Sequence, residues 1–357
     1  MKHSTPLLLC AFSLPALLAL ALPADKVEFQ PSEGLSLTRT YVNKTDLTLD
    51  GLDVTMNGQP VPGGIDMEMD LSMSQRVVVT DLLGALSSGR PARLVRSYDE
   101  LSQQSEFSVK VQQMPGGGQD ASVKAESELQ GKKVVFAWDE ESGAYKTSFD
   151  GGEGDQALLE GLEEDMDLRV LLPGKEVAEG DSWEIDVKSL RSLLAYGGNL
   201  KLKPTDPGEL GQGAMPGMDS MSDFSSVFGE MLEGEAGGQY SGTREVDGVR
   251  CAVIHIKLDV SASADITDKV RDAMDKMPEQ VAAAEIEQMD LELEMKGEGD
   301  LYWDVAAGVP HSFELSGTTN MAMDMGMSMS MGDSPIKLEQ SMELSGTFNN
   351  TLSVTQN

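Results

Sequence analysis

The chain has 357 residues, with 27 Lys and Arg against 60 Asp and Glu, a formal net charge of −33, two cysteines and three histidines. So strong a negative charge repels phosphate backbones and acidic lipid head groups, which excludes nucleic acid and an anionic membrane surface as partners. The acidity suits solubility outside the cell rather than an EF-hand, because the acidic loop DGGEGDQ at 150–156 lacks the alternating ligand spacing of that motif.

Residues 1–24 open on Lys2 and His3, continue as an apolar run from Leu7 to Leu22, and leave through Ala19-Leu20-Ala21 or Leu22-Pro23-Ala24. This is the pattern of a cleavable signal peptide, so the expected mature chain starts at Leu22 or Asp25 and works in the periplasm or outside the cell. Pro6, Pro15 and Pro23 break a run already short for a membrane span, and Leu9 before Cys10 disfavours lipid attachment there. Cleavage removes only Lys2 among the charged residues, leaving 26 − 60 = −34, and retains Cys251 as the sole cysteine. No internal disulfide can then form, and a chain of this length buries a sufficient core without one.

Residues 25–175 read as an N-terminal β-rich lobe, because apolar side chains recur at every second position. Leu35, Leu37, Tyr41, Leu47 and Leu49 mark one strand, and NGQPVPGG turns the chain. Ile65, Met67, Met69, Leu71 and Met73 then alternate with Asp66, Glu68 and Asp70 as a methionine-faced strand. Further strands are expected at 92–98, 105–113, 121–129, 133–139 and 144–149. In DQALLEGLEEDMDL the spacing of Leu158, Leu162 and Met166 predicts a helix, and Pro173 stops any continuation of it.

Residues 176–357 form the C-terminal β-rich lobe, with a Gly/Pro-rich insert at 204–242. Within that insert, SMSDFSSVFGEMLEG would place Met221, Phe224, Phe228, Met231 and Leu232 on one face of a short helix. Such a helix could be a lid, a partner-binding element or a decoration packed on the core. In ITDKVRDAMDKM a second helix carries Ile266, Val270, Met274 and Met277, capped by Thr267 and stopped by Pro278.

The clearest alternation is in MDLELEMKGEGDLYWDV, where Met289, Leu291, Leu293, Met295, Leu301, Trp303 and Val305 share one parity and acidic residues dominate the other. The next run keeps the phase through His311, Phe313, Leu315, Gly317 and Thr319 into MAMDMGMSMSMG. After GDSP the third run carries Ile336, Leu338, Met342, Leu344, Phe348, Leu352 and Val354. Three long strands joined by tight turns predict an antiparallel meander. Val305 facing Val309 sets a pairing sum of 614, which brings Leu293 to Met321 and Leu291 to Met323. Met331 facing Ile336 would set a sum of 667 for the second hairpin, with Met325 opposite Met342 and Met323 opposite Leu344. A straight middle strand would reach about 70 Å, so bends or bulges are expected at Gly317 and Gly326. The fold class expected from all this is mainly β, with long curved antiparallel sheets packed on a few short helices.

Two short passages recur. WDEESGA at 138–144 and WDVAAGV at 303–309 share Trp-Asp, three residues and Gly, the makings of a hairpin turn held by an Asp carboxylate and closed by a left-handed glycine. The passage LLPGKEVAEGDSWEIDV at 171–187, together with the hairpin GDLYWDVAAGVPHSFELSG, resembles a family of exported bacterial β-rich proteins of unknown function. That resemblance implies the fold class and carries no activity.

Catalytic chemistry is sparse. Only His255 and His311 remain after the signal, and GxSxG, HExxH, CxxC and phosphate-cradling motifs are missing. SPIK, Ser334 to Lys337, has a serine–lysine spacing but falls in a hairpin turn. Cys251 and His255 share a strand face roughly 13 Å apart, too far to act as nucleophile and base. The expectation is therefore a non-catalytic protein with no cofactor and no dedicated metal site.

The methionines carry what functional signal there is. Soft thioethers at 321, 323, 325, 327, 329 and 331 suit copper(I), yet their spacing and phase are those of a strand face continuous with Leu, Phe and Trp. Each buried Met contributes roughly 1.5–3 kcal/mol, so exposing six would forfeit on the order of 10 kcal/mol, and the face must be covered by core or by ligand. The expected function is an exported binding or structural protein holding an apolar ligand, such as a lipid or acyl chain. Its lining would be Met321, Met323, Met325, Met327, Met329, Met331, Leu291, Leu293 and Trp303, beneath a lid bearing Met221, Phe224, Phe228 and Met231. Copper(I) handling is the alternative.

Overall fold

The alternation of the sequence becomes a run of unusually long strands. The computed structural model describes residues 26–61, 66–111, 118–152, 154–205, 231–274, 284–331 and 334–357. Its strands in the first half are β1 (Ser36–Met56), β2 (Gln59–Pro60), β3 (Met67–Leu83), β4 (Leu86–Ser87), β5 (Arg90–Pro91), β6 (Arg93–Val111), β7 (Gly118–Ser127), β8 (Lys133–Asp139) and β9 (Ala144–Phe149). In the second half they are β10 (Ser182–Glu184), β11 (Leu202–Pro204), β12 (Glu233–Val246), β13 (Val249–Asp265), β14 (Ala284–Asp304), β15 (Val309–Met331) and β16 (Ser334–Gln356). Fourteen of them make one antiparallel sheet in the order β10-β12-β13-β14-β15-β16-β1-β3-β6-β7-β11, with β2 beside β1 and the β8–β9 hairpin beside β6. The protein is mainly β, a meander with a few short helices.

β1 joins the two halves of the chain, because its length pairs with β16 on one side and with β3 on the other. Strands from 25–175 and from 176–357 therefore share one sheet and one hydrophobic core. The expected boundary near residue 175 falls inside an irregular connector, 155–201, which lies across the inner face and buries Leu158, Leu159, Met166, Leu171, Leu190 and Leu193 against it. Among the described residues no ladder joins β12 to β7, so the path of the sheet runs from β10 to β11 without closing.

Several expectations are corrected. The helix expected over 155–168 is one 3₁₀ turn, Gln156–Leu159, after which Gly161 and Leu168 take left-handed backbone angles of +76° and +59°. The carbonyls of Glu163 and Glu164 accept from the buried Arg96 guanidinium at 3.0 and 2.9 Å, so a tertiary contact claims the acceptors that a helix would use. The strands expected at 92–98 and 105–113 are one strand, β6, because Leu101 carries the inward phase across the polar middle. The insert also ends earlier than expected, since 233–242 belongs to β12. The second helix spans Thr267–Met274, but Thr267 does not cap it. Asp265 accepts from the Thr267 amide at 2.9 Å, while the Thr267 hydroxyl accepts from the Met289 amide at 2.8 Å and ties the helix to β14. Met277 and Pro278 lie outside the described residues.

The two Trp-Asp turns are alike in atomic detail. The Gly143 and Gly308 amides donate to the carbonyls of Asp139 and Asp304 at 2.9 Å, and both glycines have φ of +66°. Asp139 accepts from the Glu141 amide, and Asp304 from those of Ala306 and Ala307. One turn closes the short β8–β9 hairpin and the other the long β14–β15 ladder.

The ladder registers bear on the methionines. Between β14 and β15 the sum of 614 holds from Gln288 to Tyr302, with Leu293 opposite Met321 and Leu291 opposite Met323. One-residue shifts flank it, between Tyr302 and Trp303 and between Ile286 and Gln288, the second opposite Gly326. Gly317 lies in unbroken pairing with Gly297 and Phe348. A Cβ on Gly297 would come within 2.7 Å of the Phe348 ring, so the ring lies directly over the glycine backbones. Between β15 and β16 the sum is 665 throughout, not 667. Met331 pairs with Ser334, Met329 with Ile336, Met323 with Met342 and Met321 with Leu344. The turn is two residues tighter than GDSP suggests, and an even shift changes every partner while keeping the face.

Candidate functional site

The inner face has two unlike halves. Near the β14–β15 turn it is closed: Leu37, Tyr41, Val79, Leu94, Leu301, Trp303, Phe313 and Leu352 are buried beneath the connector and residues 26–35. The Trp303 indole donates to the Glu28 carbonyl at 3.1 Å and meets Phe29 edge-on at 6.5 Å. At the other end, toward the β15–β16 turn, the same face is only partly covered. Met321, Met325, Met327 and Met329 are half-buried, as are Leu49, Leu52, Met73, Phe107, Val109 and Leu293 on neighbouring strands. Between the halves runs a polar row in which Asn350, Asn43, Gln75 and Gln103 pair across β16, β1, β3 and β6.

This arrangement brings together most of the expected lining. Met323 and Leu291 are buried floor residues, and Met289 pairs with Met325 just as Met323 pairs with Met342, so thioethers adjoin across strands. Met331 ends β15. Trp303 is not with them: it lies ten residues along β14 from Leu293, about 33 Å away, in the closed half. The expected lid residues Met221, Phe224 and Phe228 lie outside the described residues. Met231 is exposed, while Leu232 beside it is buried in the core.

The LPG–GDSW passage has a structural explanation. Asp181 accepts from the Ala178 amide at 2.9 Å, and the Gly180 and Tyr240 amides then bond across to Tyr240 and Asp181, which docks β10 on the edge of β12. The Trp183 indole donates to the Leu171 carbonyl at 3.1 Å and its ring covers Gly238, where a Cβ would come within 2.5 Å. The motif seals one sheet edge, which guards against pairing with another chain.

Polar chemistry concentrates inside the closed half, where the sequence offered no motif for it. Asp81 is shared by two buried arginines: Arg39 bonds Oδ2, and Arg96 bonds Oδ1 at 2.8 Å and Oδ2 at 3.0 Å. The Tyr41 hydroxyl donates to the Met166 carbonyl, and its ring meets that of Tyr196 at 4.2 Å. Next to this network Arg169 grips Glu164 at 2.8 Å and Asp167 at 2.7 Å. Burial pushes the Glu164 carboxyl up to about 7 against the opposing pull of Arg169. Inward charge on these strands was legible only as breaks in an apolar alternation, at Arg39, Asp81 and Arg96.

The sequence's nucleophile and base candidates do not assemble. Cys251 is buried, and burial raises its thiol to about 11. His255 pairs with Asp300 at 3.0 Å on the outer face, and His311 lies 3.7 Å from Asp247. Lys337 pairs with Glu287 and Glu339 at 3.3 and 3.2 Å. No group of three His, Cys, Asp or Glu that could hold a metal occurs among the described residues.

No family model and no curated protein matches the chain. Solved structures with some likeness include the outer membrane protein OprG from Pseudomonas aeruginosa, at 8% identity and a TM-score of 0.20, covering 91% of this chain and 98% of that one. An outer membrane channel from Pseudomonas putida F1 has 8% identity and a TM-score of 0.18, covering 93% and 100%. The transport unit of the autotransporter AIDA-I from Escherichia coli has 9% identity and a TM-score of 0.15, covering 89% and 90%. Likeness at these scores amounts to a shared abundance of antiparallel strands and carries nothing further.

Proposed function

We propose that this is an exported, non-catalytic binding protein that holds the acyl chain of a lipid or lipoprotein on the open half of its inner sheet face. One observation carries the reading: half of a continuous apolar face is covered by the protein's own connector, and the other half, rich in Met and Leu, is only partly covered. Half-buried Met321, Met325, Met327 and Met329 border a buried floor of Leu291, Met323, Met342 and Leu344, and this border is the apolar surface a ligand would cover. Methionine suits the role because its unbranched thioether adapts to chains of varied shape. The acidic exterior keeps such a carrier soluble and off anionic membrane surfaces. Export rests on the signal-like residues 1–24, and the predicted mature N-terminus at Leu22 or Asp25 is read from the same intact-mass measurement.

Copper(I) handling is the second reading, favoured by the thioethers that adjoin across strands at Met289–Met325 and Met323–Met342. Native mass spectrometry of the protein exported by its own host separates the two, since lipid and copper adducts differ in mass. A lipid adduct that disappears in Met325→Asp supports the acyl reading. A copper adduct, or ligand-free protein from lipid-replete cells, overturns it.

A further inference from the structure

Every inward position of β3 from Met67 to Gln75, of β6 from Leu101 to Val111, of β14 from Met289 to Gly297 and of β15 from Gly317 to Met329 is uncharged. Their outward neighbours include Glu68, Asp70, Glu106, Lys110, Glu292 and Asp324. The inward arginines of the closed half, Arg39 and Arg96, are 1% exposed and bind Asp81, so they offer no cation to a ligand on the open half. The boundary between the halves is polar yet neutral. Asn350 pairs with Asn43, Asn43 with Gln75 and Gln75 with Gln103, which sets four carboxamides side by side on one face, about 5 Å from strand to strand. Asn350 is buried and the other three are half-buried. The bonds they make are long: Asn43 Nδ2 donates to Gln75 Oε1 at 3.5 Å, and Gln103 Nε2 to the Ser105 hydroxyl at 3.5 Å. The buried Asn43 Oδ1 has no partner among the described residues. An unmade acceptor in a buried position is costly, and the remedy is an N–H or O–H donor.

We propose that the carboxamide row is the head-group subsite of the open half, and that its ligand is an acyl compound whose polar group is uncharged and carries both a carbonyl and a hydrogen-bond donor, as in a monoacylglycerol or an N-acyl amide. This rests on the acyl-binding function proposed above and narrows its ligand. A carboxylate or phosphate head laid on this face would lose water without gaining a counter-charge, a far heavier penalty than a neutral group meets. Carboxamides answer a neutral head in both senses: the NH2 groups of the row donate to its carbonyl, and Asn43 Oδ1 accepts from its O–H or N–H. The tail then runs the other way. Met73 follows Gln75 on the inner phase of β3, and Met69 lies six residues, about 20 Å, beyond Gln75 along the same face. Polar row and apolar face are thus continuous, with the head against the closed half and the chain on the methionines.

The test uses full-length mature protein freed of lipid on a hydrophobic resin and loaded with the neutral fluorescent dye N-phenyl-1-naphthylamine. Monolaurin, methyl laurate and laurate, which share one acyl chain, compete for the dye at constant ionic strength and below their micelle concentrations. Monolaurin should displace it at about tenfold lower concentration than methyl laurate, the effect of one or two neutral hydrogen bonds. Hydrophobicity alone predicts the reverse order, because the glycerol head makes monolaurin the more water-soluble ester. Laurate should bind more weakly than monolaurin. Asn43→Leu should bring monolaurin level with methyl laurate while keeping the affinity for methyl laurate, whereas a purely structural role would weaken both esters alike. Gln103→Leu serves as the second variant should Asn43→Leu fail to fold, and urea midpoints check both. Monolaurin binding no better than methyl laurate, or a preference that survives in both variants, overturns the subsite and leaves the acyl reading standing. Laurate binding tightest overturns the uncharged head and likewise leaves the acyl reading. Displacement by none of the three overturns the acyl reading, and this inference with it.

Discussion

The closed and open halves of the inner face are built from the same strands, yet they are finished differently. In the closed half the apolar phase is filled by aromatic and branched residues, Trp303, Phe313, Tyr41 and Leu37, and a connector of nearly fifty residues seals them. In the open half the same phase is filled by methionine and leucine, some buried, such as Met323, Met342 and Leu344, and some half-exposed, such as Met321, Met325, Met327 and Met329. Rigid, tightly packed side chains belong where one arrangement must persist, and adaptable ones where the neighbour varies. The difference teaches that a single alternating pattern can encode both a core and a binding surface, and that the choice of apolar residue tells them apart.

Substitutions in matched positions measure that difference most directly. Trp303→Ala should cost about 3–5 kcal/mol, because it opens a large cavity and strands the Glu28 carbonyl. Met327→Ala, on the half-buried ladder, should cost about 1 kcal/mol or less. Urea midpoints of the two variants decide the matter, and equal losses would erase the distinction between the halves.

A second pair tests how tightly the backbone is drawn at two points along β15. At Gly317 an added Cβ would sit 1.9 Å from the Lys296 carbonyl oxygen, so Gly317→Ala should destabilise by about 1–3 kcal/mol. At Gly326 the nearest atom would be 3.7 Å away, and Gly326→Ala should be neutral or stabilising by up to about 1 kcal/mol. Similar Tm shifts for both would mean that the sheet is not more tightly drawn near Phe348 than along the ladder.

A further expected effect concerns pH and belongs to the closed half. Glu164 holds its proton up to about 7 when folded, above the usual glutamate value of the unfolded chain. Between those two values the unfolded chain releases a proton that the folded protein keeps, so stability falls as pH rises and the loss is complete above 7. Denaturant midpoints from pH 5 to 8 should therefore decline in wild type and decline less in Glu164→Gln. An unchanged slope in that variant would remove Glu164 as the cause.

The strands, their inward faces and the two Trp-Asp turns were legible in the sequence because each depends on local rules: a period of two, and an Asp and a Gly at fixed offsets. At the β14–β15 turn the register was off by one, since Val309 pairs with Asp304 and not with Val305, and the one-residue shift between Tyr302 and Trp303 restores the expected pairing of Leu293 with Met321. It was off by two for β15–β16 because GDSP admits more than one turn length. What only the tertiary structure decided lies across the chain. The spacing of Leu158, Leu162 and Met166 is helical, yet Arg96, some seventy residues earlier, takes the carbonyls of Glu163 and Glu164 and holds that segment open. Trp303 and Met327 share one sequence phase, and coverage by the connector and residues 26–35, not alternation, divides core from surface. Arg39, Asp81 and Arg96 show in the sequence only as breaks in the alternation; their pairing does not, since they come from three strands and meet only when the sheet sets β1, β3 and β6 side by side. Periodicity is a property of neighbours along the chain and survives in the sequence, whereas coverage and charge pairing are properties of neighbours in space.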